Sequence, residues 1–289
     1  MKKPRKSQRL TAAALTLVLA LGLSACGGES AAPATPEEVL TKAQEAMDGV
    51  TSMGYDMTME MSLGVEGMEQ AVSISSVTSA DAILSPLTMK AEMTTNMEEV
   101  MGESLTMTMY VKEDNGSYMT ATGVPDADGN VTWQTMTMDS LDELASLDGK
   151  ASMDLYLSSG SGFTEGATEM VGDVEATRYD GVIPGAKLEE ALAATGVLSQ
   201  MESLGLGDAT TMFSDVGDLP MSIWVAKETY YPVKYEMDMA AMMQSILEKV
   251  LSDQAGMDVG LKVDKMNVSM VMRDFNQVGE IEIPDEAFA

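Results

Sequence analysis

The sequence predicts an α+β fold in which roughly ten or more antiparallel strands form a sheet and a few helices cover one of its faces. Three observations lead to this prediction. Apolar and polar residues alternate with period two over several segments, as they do in strands with one buried and one solvated face. Turn-forming residues separate many of these segments by gaps too short for the helices of a parallel α/β fold. Capped segments with helical apolar spacing lie before and between them.

A helix is predicted to begin at Thr35. Thr35 can cap the first turn, Pro36 suits the first helical position, and Glu38 completes a capping box. Apolar residues then recur at helical spacing, and Gly49 is the expected end. These apolar residues are Val39, Leu40, Ala43, Ala46, Met47 and Val50. One face of the helix must therefore be buried against another element.

Strands follow directly. From Met53 to Val65 the odd positions are apolar and the even positions are small or polar. Because successive side chains of a strand point to opposite faces, this pattern gives one apolar face. The same alternation recurs at 87–93, 105–111, 153–157, 231–239 and 266–272, and the turn signals are Asn115-Gly116, 125–130 and 227–229.

Further helices are predicted later in the chain. Ser140 and Glu143 form a second capping box before a helix over 140–147. Residues 186–204 indicate one or two short helices, and 240–252 carry an amphipathic stripe. The Gly-Ser stretch at 158–162 is interpreted as a loop within one domain, which is predicted to span 36–289.

Residues 1–25 are predicted to be a secretory signal peptide. The first nine residues are strongly basic, and an apolar run of 14 residues without a charge follows. A transmembrane helix needs about 20 apolar residues, so the run is short for an anchor. An uncleaved N-terminal anchor is the alternative.

The only cysteine of the chain, Cys26, closes this segment. The tetrapeptide Leu-Ser-Ala-Cys that ends at Cys26 resembles the bacterial lipobox. The resemblance implies cleavage before Cys26 and acylation of its sulfur, for example with palmitate. Residues 26–35 would then be the lipidated cysteine and a flexible tether, because they are small, polar and rich in Gly, Ala and Pro. We therefore expect an extracytoplasmic protein that acyl chains hold to the cell membrane.

Composition excludes several classes of protein. The chain carries 46 acidic and 17 basic residues, a net charge of −29, so it would repel nucleic acids. It has no histidine, which excludes Ser-His-Asp and Cys-His catalysis and histidine-ligated metals. No nucleophile elbow, Walker loop or dinucleotide fingerprint is present. We therefore expect no enzymatic activity, no catalytic residues and no cofactor.

Asp126, Asp128 and Asn130 look like part of a calcium loop. Gly129 stands at the wrong position for an EF-hand, and no glutamate follows at the required distance. A polar hairpin turn is therefore predicted there instead of a metal site.

The chain contains 29 methionines, many of them on the apolar faces of the predicted strands. Methionine is flexible and polarisable, and it fills irregular spaces. Three interpretations remain open: an ordinary core, a cavity with flexible walls that accepts an acyl chain or another apolar ligand, or Cu(I) bound by thioethers. Alternation explains the Met-x-Met spacing without a metal, so no metal site is predicted. The candidate cavity residues are Met57, Met59, Met61, Met107, Met109, Met237 and Met270.

Two C-terminal segments resemble a known family. Residues 223–234 (IWVAKETYYPVK) are similar to a strand–turn–strand of the LolA-like and LppX/LprG-like lipoproteins, and so are 272–276 (MRDFN) followed by 281–284 (IEIP). This resemblance implies a strongly curved antiparallel sheet, a half-barrel wrapped around helices. In several members the space between them holds lipid or acyl chains.

These observations lead to a functional expectation. The leading hypothesis is a lipid-anchored, non-catalytic protein that binds a lipid or another apolar ligand in a methionine-lined cavity. The alternative is a surface scaffold or sensory domain of the same fold with a filled core. A continuous apolar cavity would favour the first hypothesis, and a solid interior the second.

Overall fold

The predicted sheet dominates the structure. The computed structural model describes residues 34–65, 71–96, 102, 104–126, 128–138, 155–185, 187–188, 217–255 and 260–289. Eleven strands form one sheet in which all neighbouring strands are antiparallel. They are β1 (Ser52–Val65), β2 (Val72–Leu84), β3 (Leu87–Asn96), β4 (Ser104–Asp114), β5 (Ser117–Pro125), β6 (Val131–Met138), β7 (Ser161–Val171), β8 (Val174–Ile183), β9 (Leu219–Ala226), β10 (Pro232–Asp238) and β11 (Leu261–Arg273).

The sheet is open and curved, and its order is β6-β5-β4-β3-β2-β1-β11-β10-β9-β8-β7. Strands β1 to β6 run as successive neighbours from the middle of the sheet to one edge. Strands β7 to β11 run from the other edge back to the middle, where β11 pairs with β1. The last strand therefore joins the two halves, and the predicted α+β class with a curved antiparallel sheet is confirmed.

The helix α1 (Pro36–Asp48) begins as the sequence predicts. The backbone N–H of Glu38 donates to the Thr35 hydroxyl (3.3 Å), and the Glu38 carboxylate accepts from the Thr35 N–H (2.9 Å). Its buried residues are Leu40, Ala43 and Met47. A second helix, α2 (Ala240–Ala255), confirms the amphipathic segment predicted before β11, and a 3-10 turn lies at Asp285–Phe288.

We call the side of the sheet that packs on α1 the inner face and the opposite side the outer face. The odd-numbered residues of β1 from Met53 to Met61 point to the inner face, and the even-numbered residues point to the outer face. The main core lies between the inner face and the helices. Among its members are Leu40 and Met47 of α1, Met53 and Tyr55 of β1, Ile223 of β9, Tyr235 and Met237 of β10, Met242 and Ile246 of α2, and Met270 and Met272 of β11.

The segment after β11 crosses the outer face of β4 and β5. Ala287 is fully buried against Tyr110 and Ala121, and Trp133, Ile283 and Phe288 pack on the same cluster. The end of the chain is therefore fixed to the half of the sheet that β1 to β6 form.

The strand predicted at 153–157 is wrong for the residues that are described. Residues 155–159 form a short helical turn, in which the Gly160 N–H donates to the Tyr156 carbonyl (2.9 Å). Three alternating apolar residues fit a strand and a helical turn equally well, so periodicity could not distinguish the two structures here. The loop predicted at 158–162 is likewise divided between this turn and the start of β7.

Some predictions fall outside the described residues. They are the helix over 140–147, most of the helical segment 186–204, and the N-terminal segment that contains Cys26.

Candidate functional site

The seven candidate methionines all point to the inner face, but they form two groups. The first group lies where the halves of the sheet meet, on β1, β10 and β11. Met57 of β1 pairs with Met270 of β11. Met59 of β1 and Met237 of β10 both stand opposite Val268 of β11, one on each side of it. Met61 continues the row on β1.

The second group is on β4, three strands away from β1. Met107 stands directly opposite Met93 of β3, and Met109 stands opposite Ala91. Because neighbouring strands lie about 4.8 Å apart, roughly 14 Å separates β1 from β4. Strands β2 and β3 therefore form the floor between the two groups.

The methionines differ in depth. Met237 and Met270 are 6% and 3% exposed and belong to the main core. Met57, Met59, Met61, Met107 and Met109 are only half-buried. Packing in the core is enough to explain Met237 and Met270. The other five methionines keep part of their side chains accessible.

Small side chains line the β2 part of this floor. On its inner face β2 carries Ser76, Thr78, Ala80 and Ala82, all buried, whereas β3 carries Ala91 between the longer Met89 and Met93. Long thioether side chains thus stand on both sides of a row of short ones. We call this arrangement the methionine trough.

Sequence reasoning missed β2, one of the two strands of the floor. β2 does not alternate clearly between apolar and polar residues, so it gave no strand signal. Ser, Thr and Ala have too little apolar surface to mark a buried face. The place of β2 in the chain could have predicted it. β2 lies between two alternating strands, and the connections on either side of it are short.

The basic side chains of the strands lie outside the trough. The lysines and arginines of the described strands all point to the outer face, where several pair with carboxylates. Arg273 is one example, because its Nε lies 3.2 Å from Asp56 Oδ2 and its Nη1 lies 2.9 Å from Asp81 Oδ1. The inner face therefore offers a ligand no cation from these strands.

Tyrosine hydroxyls add polar groups to the core on the inner side of the sheet. The Tyr55 hydroxyl donates to Met89 Sδ (3.7 Å). The rings of Tyr156 and Tyr235 meet edge to face, with centroids 4.9 Å apart. Burial raises the pKa of Tyr156 and raises the pKa of Tyr235 strongly, so both hydroxyls are neutral near pH 7.

The two segments that resemble the lipoprotein family meet beside the start of β1, where Tyr231 and Phe275 pack on both the main core and an outer cluster. Tyr231 stacks on Phe275, with ring centroids 4.3 Å apart. The Asn276 amide oxygen accepts from the Thr51 N–H (2.7 Å) and from the Thr51 hydroxyl (2.9 Å). These contacts tie the start of β1 to the residues that follow β11, so the segments stabilise the joint between the halves of the sheet.

Residues 125–130 form the predicted hairpin turn. The Asp126 carboxylate accepts from the backbone N–H of Asp128 and Asn130 and from the Asn130 side chain. The hydrogen bonds from Asn130 hold the pKa of Asp126 below its usual value. Among the described residues, no group of three or more acidic, Cys or His side chains is placed to hold a metal ion.

The sequence matches one protein-family model. It is the model of DUF6612, a family of unknown function, and it matches residues 35–157 and 188–289. The chain belongs to the DUF6612 family. Among curated proteins, no significant match was found for this member of the family. No helix within the described residues of this DUF6612 chain is long and apolar enough to cross a membrane.

Solved structures resemble this DUF6612 chain in fold. The lipoprotein LppX of Mycobacterium tuberculosis is 14% identical, with a TM-score of 0.44, and the alignment covers 85% of this chain and 97% of LppX. LprF from Mycobacterium bovis is 11% identical, with a TM-score of 0.49, and the alignment covers 87% of this chain and 96% of LprF. LppX-like lipoproteins are the family that the C-terminal sequence segments resemble. At this level the likeness concerns the fold, and no ligand or activity follows from it.

Proposed function

We propose that this DUF6612 protein is an extracytoplasmic lipoprotein, anchored through acyl chains on Cys26, that binds a lipid or another apolar ligand and catalyses no reaction. The methionine trough is the observation that carries the proposal. Half-buried thioethers stand on both sides of the row of small residues on β2, on a face that lacks the cations of the strands.

Such a trough suits a long apolar molecule. Each methylene group that leaves water contributes about 0.8 kcal/mol, so an acyl chain gains affinity along its whole length. Methionine side chains can change rotamer to fit chains of different shape.

The ligand hypothesis is tested by filling the trough. Met109 is half-buried beside the small Ala91. We expect Met109→Trp to change the free energy of unfolding little and to abolish the uptake of a fluorescent acyl-chain probe. Met53 is only 1% exposed, so Met53→Trp is the matched control. Overpacking there should cost ~1–3 kcal/mol.

The alternative is a scaffold or sensory domain with a filled core. The dense packing of Met47, Met53 and Tyr55, all 2% exposed or less, favours that alternative for the part of the sheet near α1. Probe uptake by the wild type, lost in Met109→Trp, supports the ligand-binding role. Equal destabilisation by both tryptophan variants, or no uptake by the wild type, supports the scaffold.

The anchor is tested separately. We expect Cys26→Ser to abolish labelling by a palmitate analogue and to release the protein from the membrane fraction, because Cys26 is the only cysteine. A single acyl chain binds a membrane only marginally, whereas two or more anchor a protein stably without a basic patch. A variant that still labels and remains in the membrane fraction would show that the lipobox interpretation is wrong.

A further inference from the structure

Among the described strands the two edge strands are β7 and β6, and only β7 carries features that prevent pairing. β7 carries Glu165 and Glu169, and its pairing with β8 is interrupted by two register irregularities. Charges and bulges at an edge prevent pairing with other strands. β7 is therefore poorly suited to accept another strand.

The opposite edge, β6, lacks these features. Its sequence VTWQTMTM contains no charged residue, no proline and no glycine, and β5 is its only neighbour among the described strands. Its pairing with β5 is regular from Val131 to Met138. Val131 and Met136 are 44% and 62% exposed. A regular, uncharged and exposed edge is a template for pairing with another strand.

β6 is also held in place from both ends and from the outer face. The ring of Trp133 lies 5.7 Å from that of Tyr110, in the cluster that buries Ala287. Met138 is buried at one end, and the hydrogen-bonded turn around Asp126 fixes the other. A rigid edge loses little conformational entropy when a partner binds.

The surrounding charge indicates what kind of strand can bind. Described acidic residues lie near both ends of β6: Asp126 and Asp128 are in the turn before it, and Glu113 and Asp114 are in the β4–β5 hairpin beside Met138. The 3-10 turn that contacts β6 adds two exposed acidic residues, Asp285 and Glu286. Two copies that paired through β6 would bring like charges together, which is unfavourable.

We propose that the edge of β6, beyond which no described strand lies, docks an extended, basic segment of a partner protein, which adds to the sheet beyond β6. The main-chain hydrogen bonds of the added strand supply affinity. Lysine or arginine side chains near its ends meet the acidic residues around β6 and set the preference for this partner. The site lies on the edge of the sheet and is independent of ligand binding in the methionine trough.

The test uses the full-length protein in detergent and three fluorescent synthetic peptides of about ten residues, a length that matches a strand. The first alternates Thr and Val and has two lysines at each end. The second has the same sequence with N-methyl groups on alternate backbone nitrogens, and the third has glutamates in place of the lysines. We expect the first to bind and each of the other two to bind at least about tenfold more weakly. Hydrogen exchange should slow at residues 131–138 and not at 161–171.

Two protein variants complete the test. Thr135→Lys places a charge on the exposed middle of β6 and should weaken binding of the first peptide about tenfold. Ala167→Lys, on exposed β7, is the matched control and should bind like the wild type. Circular dichroism verifies that both variants fold.

Three results would overturn the proposal. The first is equal binding of the N-methylated peptide. The second is absence of binding, or protection away from β6. The third is a dimer of the protein without peptide that Thr135→Lys dissociates, because then a second copy occupies the edge.

Discussion

Gly54 is a position where β1 has no room for a side chain. Gly54 lies opposite Arg273 on β11, whose guanidinium crosses β1 to reach the carboxylates of Asp56 and Asp81. A Cβ at Gly54 would clash with this guanidinium and would lie 2.8 Å from Asp81 Oδ1. The missing side chain therefore permits the ion pairs that span β2, β1 and β11.

We expect Gly54→Ala to lower the free energy of unfolding by ~1–3 kcal/mol, because Arg273 must leave its partners or β1 must shift. Gly64→Ala is the control in the same strand and on the same face, since its Cβ would meet only the end of the exposed Asp264 side chain. Urea denaturation of both variants measures the difference. Equal effects of the two substitutions would contradict this account.

At the scale of the element, the helical turn at 155–159 is docked onto β10 by two tyrosines. Tyr156 packs edge-on against Tyr235, and the neighbouring Leu157 is buried in the main core. Burial raises the pKa of both phenols above the usual value of 10.0. The folded protein thus holds these protons more tightly than the unfolded chain does.

This difference predicts a loss of stability in alkali. Since the folded state binds more protons, the free energy of unfolding is maintained below pH ~10 and falls as the pH rises above it. Tyr156→Phe removes one of the two phenol groups, so its free energy of unfolding should fall less steeply with rising pH. The variant should also be less stable than the wild type at neutral pH. Urea denaturation between pH 8 and 11, a range set around the ordinary tyrosine pKa of about 10, tests this. An equal fall in both proteins would be inconsistent with it.

At the scale of the whole molecule, the pairing of β1 with β11 holds the sheet together. β11 is the only neighbour that β1 and β10 share, so it alone connects β1–β6 with β7–β10 among the described strands. The paired residues lie about two hundred positions apart, for example Met57 and Met270. The fold is therefore complete only when the last strand is present.

Removal of residues 261–289 should abolish cooperative unfolding, because it deletes β11 and separates the halves. Removal of residues 285–289 keeps β11 and uncovers only the cluster of Tyr110 and Ala121, so that variant should unfold cooperatively at lower urea. Circular dichroism during urea denaturation distinguishes the two. A cooperative transition in the 1–260 fragment would disprove the role assigned to β11.

Local structure was predictable because neighbouring residues determine it. The capping box of Thr35 and Glu38 is present as predicted. Asn115 and Gly116 adopt φ values of 52° and 84° in the tight turn between β4 and β5, as the Asn-Gly pair indicates. Period two also placed the methionines of each strand on its apolar side, since alternation decides which side of a strand a residue occupies.

Strand order and register were decided only in the tertiary structure. The division of the methionines into two groups and the burial of Met237 and Met270 depend on which strands become neighbours. The floor of the trough depends on β2, whose small residues carry no periodic signal. The sequence by itself determined the elements and their faces through local hydrogen bonds and periodic burial. Contacts between residues far apart in the chain decided the trough, the joint at β11 and the edge at β6, because no local pattern records them.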